Sequence, residues 1–196
     1  MKKIAMLFNL NRHQYEYETE FDSELTIDSI YNVLSKKYEV KKIEADKGFK
    51  WIDELNQYHP DLVFNICEGY NGPARESVYG AILEQFNYNY SGPDSTNLLM
   101  CHNKFLVKNL LKDYIVCPKG YSVCEEKDID LLKDVQFPVI VKLNSEGSSM
   151  GMDEKSIVNS YDELKKQVLS FEATKDNTSR ELLTIEVKST VRLNRM

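Results

Sequence analysis

Residues 137–151 read Phe137-Pro-Val-Ile-Val-Lys142-Leu-Asn-Ser-Glu146-Gly-Ser-Ser-Met-Gly151. Phe137 to Leu143 is the strongest strand signal in the chain, a nearly continuous apolar and β-branched run. One lysine, Lys142, stands near its end. An ammonium in a buried strand needs an anionic partner or a path for its stem to water. The strand runs straight into Asn144 to Met152, a loop of small residues. Within it, Glu146-Gly147-Ser148-Ser149-Met150-Gly151 offers successive backbone N–H groups, two hydroxyls and two glycines that permit close approach. Those are the parts of a phosphate cradle. The plain alternative is a hairpin loop beside a lysine on an edge strand.

Around this stretch the second half of the chain reads as a small mixed segment. The pattern predicts a long helix over 95–112, with Leu98, Leu99, Phe105, Leu106, Leu110 and Leu111 on its buried side. It predicts a strand over 115–124, with Pro118 marking an edge. A short helix at 128–133 and a helix over 161–171 complete the segment. The first half alternates in β-α-β order: a strand at 3–8, a helix over 26–37, a short strand within 38–45 and a helix near 49–56. A second apolar strand follows at 62–66, then a helix over 75–86. This order predicts a parallel sheet with helices on its faces. The Gly/Pro/Asn-rich turn Cys67 to Ala74 follows the second strand, where open α/β sheets place ligands. Ser91-Gly92-Pro93-Asp94 closes the segment. The expected division is therefore 1–94 and 95–196, and no internal repeat is visible.

Composition narrows the function classes. The 196 residues carry 25 Lys+Arg against 31 Asp+Glu, a net charge of −6. An acidic chain without a basic stripe fits nucleic acid poorly. Its longest wholly apolar runs, such as Ile4 to Phe8, fall far short of the ~20 residues that span a membrane. Asn9 to Arg12 end that run too early for a signal peptide. A cytoplasmic location with reduced thiols is the expectation for Cys67, Cys101, Cys117 and Cys124, which include no C-x-x-C pair. His13, His59 and His102 stand singly, without zinc-ligand spacing. The P-loop, dinucleotide and protein-kinase signatures are all missing from the sequence. A phosphate site here belongs to another nucleotide-binding class.

At this point the residues resemble a family. Four stretches match, in order, the N-terminal and central parts of an ATP-grasp enzyme of the D-alanine–D-alanine ligase type. They are Pro60-Asp-Leu-Val-Phe-Asn-Ile-Cys-Glu-Gly69; Arg75-Glu76 through Leu83-Glu84 with Tyr90-Ser-Gly92; His102-Asn103-Lys104; and Val139-Ile-Val-Lys142 with Glu146 to Gly151. The likeness covers about residues 1–165. It implies a Rossmann-like N-terminal parallel-sheet domain followed by the small α+β central lobe of an ATP-grasp fold. It implies ATP and Mg²⁺ as cofactors, and a carboxylate–amine ligation through an acyl phosphate, in the setting of cell-wall peptidoglycan. Lys104 and Lys142 would contact the ATP phosphates. Ser148 and Ser149 would act in the lid loop, with Glu146, Gly147 and Gly151 supporting the nucleotide. Glu68 and Gly69 would face the substrate. The implied partner is a small amino acid or peptide, with no nucleic acid and no membrane, and a homodimer is allowed.

The sequence also differs from the family pattern. Glu68-Gly69 stands where the ligases carry His-Gly, and Asn103 replaces an aspartate. The first loop, Asn9 to Glu20, has no glycine, and the sequence does not choose among Glu16, Glu18 and Glu20 as a holder of substrate ammonium. The likeness fades after about residue 165. Ala173 to Arg180 shows no matching hinge, Arg180-Glu181-Leu182 only faintly matches a family Arg-Glu-Phe, and Val187 to Met196 has no core pattern. The Mg²⁺ ligands are expected in a C-terminal lobe outside these 196 residues. The chain therefore reads as an incomplete ligase, or as a non-catalytic module that binds phosphate or nucleotide or associates with partners. A third reading is an α/β binding module without phosphate.

Overall fold

The computed structural model describes residues 1–173 and 183–187. The likeness at Arg180-Glu181-Leu182 and the tail after Val187 lie outside the described residues. The chain divides into two compact units, Met1–Leu99 and Met100–Met196. Among the described residues, no helix is long and apolar enough to cross a membrane.

The first unit is a parallel sheet of β1 (Lys3–Phe8), β2 (Glu39–Glu44) and β3 (Leu62–Ile66), in the order β2-β1-β3. Strand periodicity divides β1 between two cores. Ala5 and Leu7 pack with Trp51 and Leu55 of α2 (Lys50–Tyr58) and with Tyr79 and Leu83 of α3 (Arg75–Gln85). Met6 and Phe8 pack on the other face against Ile27 of α1 (Glu24–Leu34). Helix α1 starts two residues before the expected span because Ser23 caps it, its hydroxyl accepting from the Thr26 N–H. The extended piece at 88–90 joins the sheet edge through a bridge between Val63 and Tyr90. The order β2-β1-β3 makes the C-terminal ends of β1 and β3 a topological switch point.

The second unit holds an antiparallel sheet of β4 (Gly120–Val123), β5 (Val139–Leu143), β6 (Ile157–Val158) and β7 (Leu183–Val187), in the order β4-β7-β5-β6. Val139, Val141, Leu183 and Ile185 form its core with Leu164 and Val168 of α6 (Tyr161–Ala173). The architecture is thus mixed α/β, an N-terminal parallel sheet followed by a small α+β lobe.

Four local expectations are corrected here. The helix expected over 95–112 is two helices, α4 (Ser95–Cys101) and α5 (Lys104–Leu111). Asn103 breaks it in extended conformation and caps α5, accepting from the Leu106 N–H at 2.8 Å. The strand expected over 115–124 shortens to β4, which does lie at the sheet edge. The short helix at 128–133 is a 3-10 segment, Glu126–Leu132. Finally, β6 and β7 had no predicted counterpart, and β7 is an interior strand between β4 and β5.

Candidate functional site

In the second unit, two-residue periodicity decides what Lys142 faces. Val139 and Val141 turn into the core, so Ile140 and Lys142 take the other face of β5. On β7, Leu183 and Ile185 are core, and Thr184 and Glu186 share the face of Lys142. Lys142 Nζ donates to Glu186 Oε2 at 3.0 Å. This is the anionic partner that a lysine in such a strand calls for. Lys108 Nζ, from α5, lies 3.1 Å from Glu186 Oε1. Burial pushes the Glu186 carboxyl up, but hydrogen bonds and charge from Lys142 and Lys108 outweigh it and hold the group below its ordinary value.

Asn144 ties the start of the loop to two elements. It is fully buried, and its Oδ1 accepts from the Phe105 N–H at 2.9 Å and from the Thr184 hydroxyl at 2.7 Å. Its carbonyl accepts from the Lys104 N–H at 3.2 Å and from Lys104 Nζ at 3.3 Å. Lys104 Nζ also donates to the Glu146 carbonyl. Lys104 is therefore seated at the mouth of the loop, beside Glu146.

The loop itself turns sharply. Ser148, Ser149 and Gly151 have φ of 45°, 59° and 67°, and Met150 N–H and Met152 N–H donate to the carbonyls of Gly147 and Ser149. Left-handed backbone at a non-glycine residue costs about 1–2 kcal/mol. Two such residues stand in succession here, with both hydroxyl side chains exposed. At Gly151 an added Cβ would sit 2.8 Å from Leu143 Cδ1. The loop does link an antiparallel pair, β5 and β6, as the plain reading had it. Its lysine is not on an edge strand, although β6 pairs only with Val139 and Ile140.

In the first unit, the switch point is closed by Asn9. This side chain is 1% exposed. Its Oδ1 accepts from both the Glu68 and Gly69 N–H groups at 2.8 Å, and its Nδ2 donates to the Ala45 carbonyl at 2.6 Å. Gly69 has φ +82°, and a Cβ there would lie 2.5 Å from the Arg75 carbonyl oxygen. Only glycine fits. Burial, with Glu76, Glu20 and Asp22 nearby, pushes the Glu68 carboxyl up to about 7, against an opposing pull from Arg75. Glu20 pairs with Arg75 at 2.6 Å, and both are nearly buried.

This separates two of the three candidate glutamates of the first loop, Glu18 and Glu20. Glu18 folds into its own turn, accepting from the Arg12 and Gln14 N–H groups at 3.0 Å. Glu20, Glu68 and Glu76 each bring a carboxylate oxygen to within 4.8 Å of the others, an arrangement that could hold a cation or a shared proton. The side chain of Glu16 lies outside the described residues. Tyr17, Phe21 and Tyr70 meet one another tilted or edge-on, with Lys47 Nζ 4.4 Å from the Tyr17 ring centroid. A cleft of about 620 Å³ opens beside Tyr17 and Tyr70, lined by Arg12, Glu44 and Lys47 and not by Glu68 or Gly69.

Sequence reasoning missed Asn144, Thr184, Glu186, Lys108 and Asn9. The alternation Leu183-Thr-Ile185-Glu-Val187 was the available signal for β7. The four cysteines are free thiols, with Cys67 buried.

No protein-family model matches the chain. It is 31% identical over 121 residues to the D-alanine–D-alanine ligase of Maridesulfovibrio salexigens, covering 61% of this chain and 39% of that protein. It is 29% identical over 119 residues to the D-alanine–D-alanine ligase of Thermotoga petrophila, covering 61% and 37%. The chain thus spans about two fifths of the length of these relatives. In fold it is similar to the solved D-alanine–D-alanine ligase of Bacillus anthracis, with a TM-score of 0.73 at 23% identity, covering 96% of this chain and 58% of that one. The same ligase complexed with ATP gives 0.70 at 19% identity. In sequence, then, this chain is similar to part of the D-alanine–D-alanine ligases, and in fold it is similar to part of the solved ones, covering only a portion of the full enzyme.

Proposed function

We propose that this chain supplies the phosphate-gripping part of an ATP-dependent carboxylate–amine ligase of the D-alanine–D-alanine type. One observation carries the reading: the Lys104 ammonium is seated on the Asn144 and Glu146 carbonyls at the mouth of the strained Ser148-Ser149 loop. A loop so pinned, with Lys142 just before it, suits a polyanion better than any neutral ligand. ATP, when bound, supplies the γ-phosphoryl group that a substrate carboxylate accepts before an amine expels phosphate.

The residues of this chain have matching tasks. Lys104 and Lys142 neutralise charge on the phosphate oxygens as it redistributes. The hydroxyls of Ser148 and Ser149 and the N–H groups from Gly147 to Gly151 donate to the same oxygens and exclude water. Glu146 holds Lys104 through its carbonyl. Asn9 aims the Glu68-Gly69 turn, which faces the amino-acid or peptide substrate. Mg²⁺ would screen the phosphate charge. Among the described residues the grouped acidic ligands are Glu20, Glu68 and Glu76 in the first unit, with none grouped beside Lys104 and Lys142. The setting that follows is peptidoglycan precursor synthesis in the cytoplasm.

The test is calorimetric titration with ATP, followed by phosphate release with Mg²⁺-ATP and D-alanine. Lys142→Ala removes a charged contact worth about 1.5–3 kcal/mol, so nucleotide affinity falls at least tenfold. A wild-type chain that binds no nucleotide refutes the proposal. A non-catalytic nucleotide-binding module is the second reading, favoured by Glu68 standing where such ligases carry histidine. Binding without phosphate release for any amino acid selects it.

A further inference from the structure

Glu186 is shared between two lysines, one on each oxygen. Lys142 Nζ lies 3.0 Å from Oε2 and Lys108 Nζ 3.1 Å from Oε1. The carboxylate is 12% exposed, and its partners 24% and 18%. Among the described residues these two lysines are the charged groups that act on it. From the adjacent strands, β4 sets Gly120 and β5 sets Ile140 opposite Glu186. Gly120 has its own part, because a Cβ there would lie 3.2 Å from Lys108 Cδ. The glycine leaves the lane along which the Lys108 stem crosses β4 to reach the carboxylate.

Two ammoniums on one carboxylate are one more than charge balance needs. A nearly buried carboxylate stripped of its only partner is strongly disfavoured, or takes up a proton. With two partners, one can leave. We propose that Lys108 is a positioning residue that keeps Glu186 paired and ionised, so that Lys142 can swing from Oε2 to a phosphate oxygen without proton uptake. The inference rests on the reading of Lys142 as a phosphate contact. Lys108 acts through Glu186 and Lys142, not by touching the nucleotide.

Calorimetry with Mg²⁺-ATP, in buffers of different ionisation enthalpy, reads this directly. Lys108→Met is expected to take up as much as about one proton more per nucleotide than wild type, and its Kd is expected to rise by up to about tenfold per pH unit between pH 7 and 8.5. Lys108→Arg restores both values. A Lys108→Met chain with the proton count and pH profile of wild type overturns the proposal, as does failure of Lys108→Arg to rescue.

A second measurement needs no nucleotide. A carboxyl held below its ordinary value adds stability that is lost as pH falls through its folded pKa; one pushed up by burial costs stability as pH rises above its unfolded value. In urea unfolding between pH 3 and 7, read as the difference from wild type at each pH so that the dependence due to Glu68 cancels, Lys108→Met and Lys142→Met each keep the first behaviour for Glu186, and only the double variant reverses it, losing stability against wild type as pH rises above about 4.5. Reversal already in Lys142→Met shows that Lys108 cannot hold Glu186 alone, and the proposal falls. A wild-type chain that binds no nucleotide fails the phosphate reading, whereas this cycle still decides whether Lys108 keeps Glu186 ionised.

Discussion

Replacing Asn9 by alanine isolates the contact that shapes the turn after β3. Asn9 lies at the end of β1, and its side chain makes bonds that nothing adjacent in sequence replaces. Two backbone N–H groups, those of Glu68 and Gly69, point at Oδ1 from 2.8 Å, and the Ala45 carbonyl receives Nδ2 at 2.6 Å. Alanine leaves all three without that partner in a site that is 1% exposed. A buried polar group left unsatisfied costs about 1–3 kcal/mol. Because the Tyr79 hydroxyl also donates to the Ala45 carbonyl at 3.4 Å, the expected loss is that of the two amides, about 2–4 kcal/mol. For a unit of this size that corresponds to a midpoint lowered by about 10–20 °C. Urea unfolding measures the total, and hydrogen exchange at the Glu68 and Gly69 amides locates it. Asn9→Asp provides the internal control: it keeps the acceptor for both amides and loses the donor to Ala45, so amide protection persists although stability falls. If Asn9→Ala costs less than about 0.5 kcal/mol and leaves exchange at the two amides unchanged, the reasoning is wrong.

Two further outcomes follow from the same turn. Glu68 has a folded pKa near 7, raised above that of the unfolded chain, so the native state binds the extra proton and stability falls as pH rises from about 4.5 to 7. Glu68→Gln should therefore leave stability at pH 4 unchanged and raise it increasingly toward pH 8, as read from urea midpoints; a constant difference across that range excludes the shift. Gly69→Ala meets both a φ of +82° and a backbone oxygen 2.5 Å away, so a loss of at least ~2 kcal/mol is expected. Wild-type stability in that variant, measured by thermal unfolding, rules out the described turn.

Much of this protein was legible because its signals are local. The apolar runs at Ile4–Phe8 and Leu62–Ile66 and the turn chemistry at Gly69 depend on a few neighbouring residues. They are found as β1, β3 and a left-handed glycine. The small-residue loop after Lys142 likewise announced its sharp backbone. Where two local signals competed, the outcome was less legible. The leucine pattern over 95–112 runs through Asn103, and the cap at that residue won over continuous helix, which placed Lys104 at a helix start beside Asn144.

The sequence by itself determined the α/β order, the small-residue loop after Lys142 and the placing of Lys104, Lys142, Glu68 and Gly69 in loops or at element ends. Tertiary structure alone decided their partners. Asn9 reaches amides 59 and 60 positions away, and Lys142 meets a glutamate 44 positions on, in a strand inserted between β4 and β5. The physical reason lies in range. Periodicity and backbone strain act over a few residues, whereas strand order and ion pairing across a sheet are set by which apolar faces can be buried together. No window of sequence contains both sides of that choice.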